Sequence, residues 1–76
     1  MPKLVPTSYQ VQVKVFEELG FEHVRTTGDH MIFKKPGHPY RVVIPAYKSV
    51  PVFIIKNNIE SAGITREKYF ELLNEG

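Results

Sequence analysis

Two rhythms of apolar and polar positions run along this chain, one of helical period and one of strand period. Met1 to Pro6 holds two prolines and reads as a short extended lead-in. Val11, Val15, Phe16 and Leu19 then recur at helical spacing, with Lys14, Glu17 and Glu18 on the opposite side. Thr7 suits an N-cap, and Gln10 three positions later completes the pattern of a capping box. Gly20 can take the left-handed conformation that stops a helix, with Phe21 folding back as its hydrophobic contact.

From Phe21 the rhythm shortens. Phe21 to Thr27 alternates as a strand, Thr27-Gly28-Asp29 supplies turn chemistry, and Met31 to Lys35 carries a second strand. Pro36-Gly37 breaks that run, and Tyr40 to Pro45 forms a third strand around Val42, Val43 and Ile44. Connections this short predict an antiparallel meander, one face of which the flanking helices must cover.

The stretch from Val50 to Ala62 carries two patterns. Val52, Phe53, Ile54 and Ile55 favour a strand by composition, and Asn57-Asn58 suits a turn. Val52, Ile55, Ile59 and Ala62 make a helical stripe, with Pro51 suited to a first turn and Gly63 to a stop. The helical reading is preferred. Thr65 then caps a last helix, with Glu67 in its first turn and Tyr69, Phe70 and Leu73 along one side. The expected fold class is α+β: one helix, a three-stranded antiparallel sheet, a second helix and a short C-terminal helix. All five phenylalanines (Phe16, Phe21, Phe33, Phe53 and Phe70) are expected in the core.

Composition narrows the picture. Seventy-six residues predict a single domain over 1–76, and a chain this short buries only about 60% of its unfolded surface. At 42% hydrophobic residues it is ordinarily globular. It has no cysteine, so neither a disulfide nor a thiolate site is available. His23, His30 and His38 are too dispersed to suggest a zinc site, and no metal or other cofactor is expected. No apolar run approaches the roughly 18 residues of a membrane span, and no signal-peptide pattern opens the chain. The expectation is a soluble cytoplasmic protein that does not engage membrane.

The net charge of +2 is small, but it is unevenly placed. Residues 21–48 carry Arg25, Lys34, Lys35, Arg41 and Lys48 against Glu22 and Asp29, a balance of +3. The segment before them is neutral and the segment after is −1. Attraction for phosphate is therefore expected in the middle of the chain, where these five residues are the candidate phosphate contacts. Lysines on a strand edge also simply keep it soluble, so charge alone leaves both readings open.

The order of elements resembles the double-stranded-RNA-binding domain. The stretch Val15-Phe16-Glu17-Glu18-Leu19-Gly20-Phe21, then Val24-Arg25, then Gly28-Asp29-His30-Met31-Ile32-Phe33, resembles the ordered signature of HicA toxins. Val42-Val43-Ile44-Pro45 and Ala62-Gly63-Ile64 continue the resemblance. It spans roughly residues 8 to 74, and its specificity lies in the order of the pieces. The resemblance implies a type II toxin–antitoxin toxin that cleaves mRNA, restrained by a HicB-like antitoxin protein. It also implies that His30 is the catalytic residue. Where the family often has serine this chain has Asp29. Tyr47-Lys48-Ser49 stands where the family often has histidine, a basic residue and glycine.

RNA cleavage without a metal uses the neighbouring 2′-hydroxyl as nucleophile. Its proton must be removed, the phosphate neutralised and the departing 5′-oxygen protonated. An imidazole exchanges protons near neutral pH, which suits His30 to one proton step. The second is open among Lys48, Tyr47 and water. The alternative reading is a non-catalytic RNA-binding module of the same fold, in which His30 only opens a strand. A third is a protein-interaction domain whose sheet is a docking surface.

Overall fold

The structure is a computed structural model and describes residues 3–75. Met1 and Pro2, the start of the expected lead-in, lie outside them. Six elements follow in order: α1 (Tyr9–Glu18), β1 (Glu22–Thr27), β2 (His30–Lys34), β3 (Val42–Pro45), α2 (Val52–Ala62) and α3 (Arg66–Glu75). The sheet is antiparallel with order β1-β2-β3. This is the α+β arrangement of the double-stranded-RNA-binding type, with one helix added at the end.

Local chemistry sets the helix ends. At the end of α1, Gly20 lies at φ +96, its N–H donates to Glu17 O, and the Phe21 N–H reaches back to Phe16 O. The Phe21 ring then meets Phe16 edge-on at 6.1 Å, which completes the hydrophobic half of this C-terminal motif. Gly63 and Ile64 repeat the two hydrogen bonds at the end of α2. Thr65 caps α3 by accepting from the Lys68 N–H.

The start of α1 corrects the sequence reading. Ser8, not Thr7, is the N-cap, and its Oγ accepts from the Val11 N–H at 3.4 Å. Thr7 is committed elsewhere: its carbonyl accepts from Val50 N–H, and its hydroxyl accepts from the Gln12 amide. With the cap moved by one residue, the core face of α1 is Gln12, Val15 and Phe16, and Val11 is exposed. A buried glutamine is tolerated because Nε2 donates to Thr7 Oγ1 at 2.6 Å and to the Tyr69 hydroxyl at 2.7 Å. These bonds tie the lead-in, α1 and α3 together; Gln12 Oε1 is buried without a partner among the described residues.

Register divides the sheet into two faces. Met31, Phe33, Val42 and Ile44 share the face that packs into the core with α1, α2 and α3. Fully burying a side chain such as Phe33 or Ile44 contributes roughly 1.5–3 kcal/mol, so this layer carries much of the stability. Tyr69 and Leu72 are the buried positions of α3, while Phe70 and Leu73 are half-buried. Phe53 is another correction: it is 66% exposed on the outer side of α2, because Ile55 and Ile59 are the residues that point inward.

The second strand begins one residue earlier than its apolar pattern predicts, at His30. Gly28, at φ +61, takes the first of two loop positions between β1 and β2, as a type II′ hairpin turn requires. Thr27 therefore pairs with His30 directly.

Candidate functional site

His30 is the first residue of β2, paired on one side with Thr27 and on the other with Pro45. Its side chain is half exposed, and Nδ1 lies 2.8 Å from Asp29 Oδ1. A carboxylate only accepts hydrogen bonds, so Nδ1 carries the proton and, in the neutral ring, Nε2 keeps its lone pair. Asp29 thus does for His30 what a carboxylate does for any imidazole base: it fixes the tautomer and the ring orientation.

The Asp29 backbone is itself held, because its carbonyl accepts from Ala46 N–H at 2.7 Å. Tyr47 follows, and its ring meets His30 edge-on at 6.3 Å between centroids. The loop that carries Tyr47 and Lys48 is pinned at both ends to the start of α1. Tyr9 N–H donates to Tyr47 O, and Val50 N–H donates to Thr7 O.

Beside His30 opens a cleft of about 320 Å³, walled by Arg41, Val43 and Pro45 of the β3 segment and by Ile54, Asn57 and Asn58 of α2. Ile54, Asn57 and Asn58 fall at helical spacing of three and four, which puts them on one face of α2. The two asparagines have opposite fates. Asn58 is 5% exposed; its Oδ1 accepts from Val43 N–H at 3.4 Å and its Nδ2 donates to Val43 O at 2.9 Å. Its amide therefore stands in for a fourth strand at the edge of β3. Asn57 is exposed and makes no hydrogen bond with the described residues.

Of the five basic residues expected to meet RNA, only Arg41 lines this cleft with His30. Arg25 is exposed on β1, level with Ile32. Lys34 closes β2 opposite Glu22, four residues and roughly 13 Å along the strand from His30. Lys35 lies with its Nζ 6.0 Å from the Phe21 ring centroid, over the end of α1. Lys48 is exposed on the β3–α2 loop.

The other histidines are tied into the scaffold. His23 Nε2 pairs with Thr26 Oγ1 at 2.7 Å, and His38 Nε2 donates to the Ser61 carbonyl at 2.7 Å. Among the described residues no group of three or more His, Asp or Glu side chains comes together as a metal site. Nor is any helix among them long and apolar enough to cross a membrane.

The sequence reading missed the α2 wall of the cleft. The preferred helical reading places Asn57 and Asn58 on a helix, but its stripe of Val52, Ile55, Ile59 and Ala62 includes neither of them.

A histidine at a strand start, oriented by a carboxylate and opening on a cleft with an arginine, sits here on a small α+β fold of the double-stranded-RNA-binding type. Residues 12–64 match the family described as HicA toxin of bacterial toxin-antitoxin systems, and the chain belongs to that family. It is accordingly the toxin member of a toxin–antitoxin pair, with an antitoxin as partner. No match to an individual curated protein is found.

Proposed function

We propose that this toxin is a metal-independent endoribonuclease of a type II system, acting on mRNA in the cytoplasm with His30 as its catalytic residue. The observation that carries the reading is the Asp29–His30 hydrogen bond at the mouth of the cleft, which leaves Nε2 as the free ring nitrogen. In the first half of the step, Nε2 removes the proton of a ribose 2′-hydroxyl. The 2′-oxygen bonds to the adjacent phosphorus, the bond from phosphorus to the 5′-oxygen breaks, and that oxygen takes up a proton. The products are a 2′,3′-cyclic phosphate and a 5′-hydroxyl.

Arg41, across the cleft, neutralises charge building on the phosphate. We assign the proton for the leaving oxygen to Tyr47, because its ring packs against His30. Arg25, Lys34, Lys35 and Lys48 act outside the cleft as contacts to the RNA backbone, which position the strand without reading it. Residues 1–76 act as one HicA-like domain; a single buried cluster joining all three helices to β2 and β3 supports this.

The partner is a HicB-like antitoxin that covers the face bearing His30, so that binding and inhibition are one event. Its contacting surface is acidic, matching the basic middle of this chain. Inducible expression of wild type beside His30→Ala, with RNA integrity followed, tests the reading. Wild type degrades transcripts and arrests growth, His30→Ala does neither, and co-expression of the antitoxin rescues the wild type. Equal degradation by His30→Ala ends the catalytic assignment.

A further inference from the structure

We infer that the cleft beside His30 is a nucleobase subsite in which Asn57 reads an adenine of the RNA next to the scissile phosphate. The inference rests on the ribonuclease reading above and adds a specificity-determining residue to it. Six observations carry it. The cleft is continuous with His30, so whatever fills it is joined to the phosphate that His30 serves. Its volume of about 320 Å³ falls at the lower end for small-ligand pockets, which suits one nucleotide unit and not a folded segment.

The walls are matched to a base. Val43 and Ile54 are half-buried apolar walls that offer contact to the faces of a flat ring, Pro45 closes the floor, and Arg41 offers charge to the phosphate that follows. Asn58 is spent on Val43 and ties the α2 wall to the β3 wall. Asn57 is the adjacent amide, exposed and without a hydrogen bond to another described residue, so its donor and acceptor face the cleft. An amide offers one donor and one acceptor side by side, which complements the amino group and ring nitrogen of adenine. One turn before it on the same helix face, Phe53 is 66% exposed and offers a stacking surface to the adjoining base.

Binding tests this apart from cleavage. Hexamers of 2′-O-methyl A, C and U cannot be cut, because the nucleophilic oxygen is blocked. Their affinities are measured for the wild-type protein, Asn57→Ala, Asn57→Asp and Phe53→Ala at fixed salt. The wild type binds the A hexamer about tenfold tighter than U. Asn57→Ala loses that preference. Asn57→Asp, which can only accept, moves it toward C, whose amino group donates. Phe53→Ala weakens all three alike.

The same A-to-U ratio in wild type and both Asn57 variants overturns the subsite. So does an unchanged ratio accompanied by lost antitoxin binding, which assigns the cleft to the protein partner. Asn57 is exposed, so its variants fold. If His30→Ala still cleaves RNA, the catalytic assignment falls and the base preference stands. If His30→Ala is inactive and the Asn57 variants keep the wild-type ratio, the subsite alone falls.

Discussion

β1 and β3 are the two edges of one sheet, and they are finished by opposite means. Along β3, Val42, Ile44 and Pro45 are buried, α2 lies alongside, and the Asn58 amide closes the free backbone groups of Val43. Along β1 no residue is buried, the register shifts between His23 and Arg25, and Val24 is half exposed. That edge relies on a bulge and on charge to discourage further pairing. The proposed chemistry sits at the closed edge. A catalytic group has to be held within a fraction of an ångström, and only the β3 side has helix, loop and strand fixed to one another.

The largest stability effect should follow from opening the closed edge. Asn58→Ala leaves the Val43 N–H and C=O facing a cavity without partners, at a cost of about 1–3 kcal/mol in denaturant unfolding. A loss below about 0.5 kcal/mol would mean that water serves Val43 as well as Asn58 does, and the contrast between the edges would disappear.

A smaller effect belongs to the polar tie behind the cleft side. Tyr69→Phe removes one of the two acceptors of the Gln12 amide and should cost about 1 kcal/mol. It also changes the response to alkali. Burial pushes the Tyr69 hydroxyl above its ordinary 10.0, against hydrogen bonds from Gln12 and Thr7 that lower it. The folded state therefore holds the phenol proton more firmly than the unfolded chain does. This contribution is fully present below about pH 10 and is lost as pH rises through the folded value. Wild type should lose stability more steeply than Tyr69→Phe above pH 10; parallel curves would show that Tyr69 is not what couples folding to alkali.

The smallest effect is expected at the open edge. Arg25→Ala should change stability by no more than about 0.5 kcal/mol, while lowering RNA affinity and flattening its salt dependence. Arg41→Ala should lower cleavage more than Arg25→Ala does, since Arg41 alone among the five basic candidates lines the cleft with His30. Equal losses from the two would spread the phosphate contacts evenly over both edges.

What was legible in the sequence follows the range of the interactions. The stops at Gly20-Phe21 and Gly63-Ile64 and the cap at Thr65 are made by residues a few positions apart, and each can be read locally. The Gln12–Tyr69 bond joins residues 57 positions apart, and Asn58 meets Val43 across 15. No local pattern marks either: the helical stripe points to Val11 where the structure buries Gln12, and the helix preferred over 50–62 carries no sign that Asn58 bonds to Val43.

Thr7 reads as a cap for the same reason: its hydroxyl is taken by the Gln12 amide, and its carbonyl by the Val50 N–H across the chain. Phe53 reads as core by residue type alone, although its helical phase points outward. In the site, His30 stood out through the Gly28-Asp29-His30 order. Its cleft partners arrive from β3 and α2 only once the sheet has formed.

The most direct test of the central claim uses purified protein and two versions of one RNA, differing by a single 2′-deoxy sugar at a mapped cleavage position. Wild type should cut the all-ribose strand to a 2′,3′-cyclic phosphate and a 5′-hydroxyl, with the same rate in a metal chelator. It should leave the substituted position intact. His30→Ala, half exposed in the native fold and therefore expected to unfold at the wild-type midpoint, should cut the all-ribose strand about 10²–10⁴-fold more slowly. Cleavage at the 2′-deoxy position, or a His30→Ala rate equal to wild type, would contradict the account.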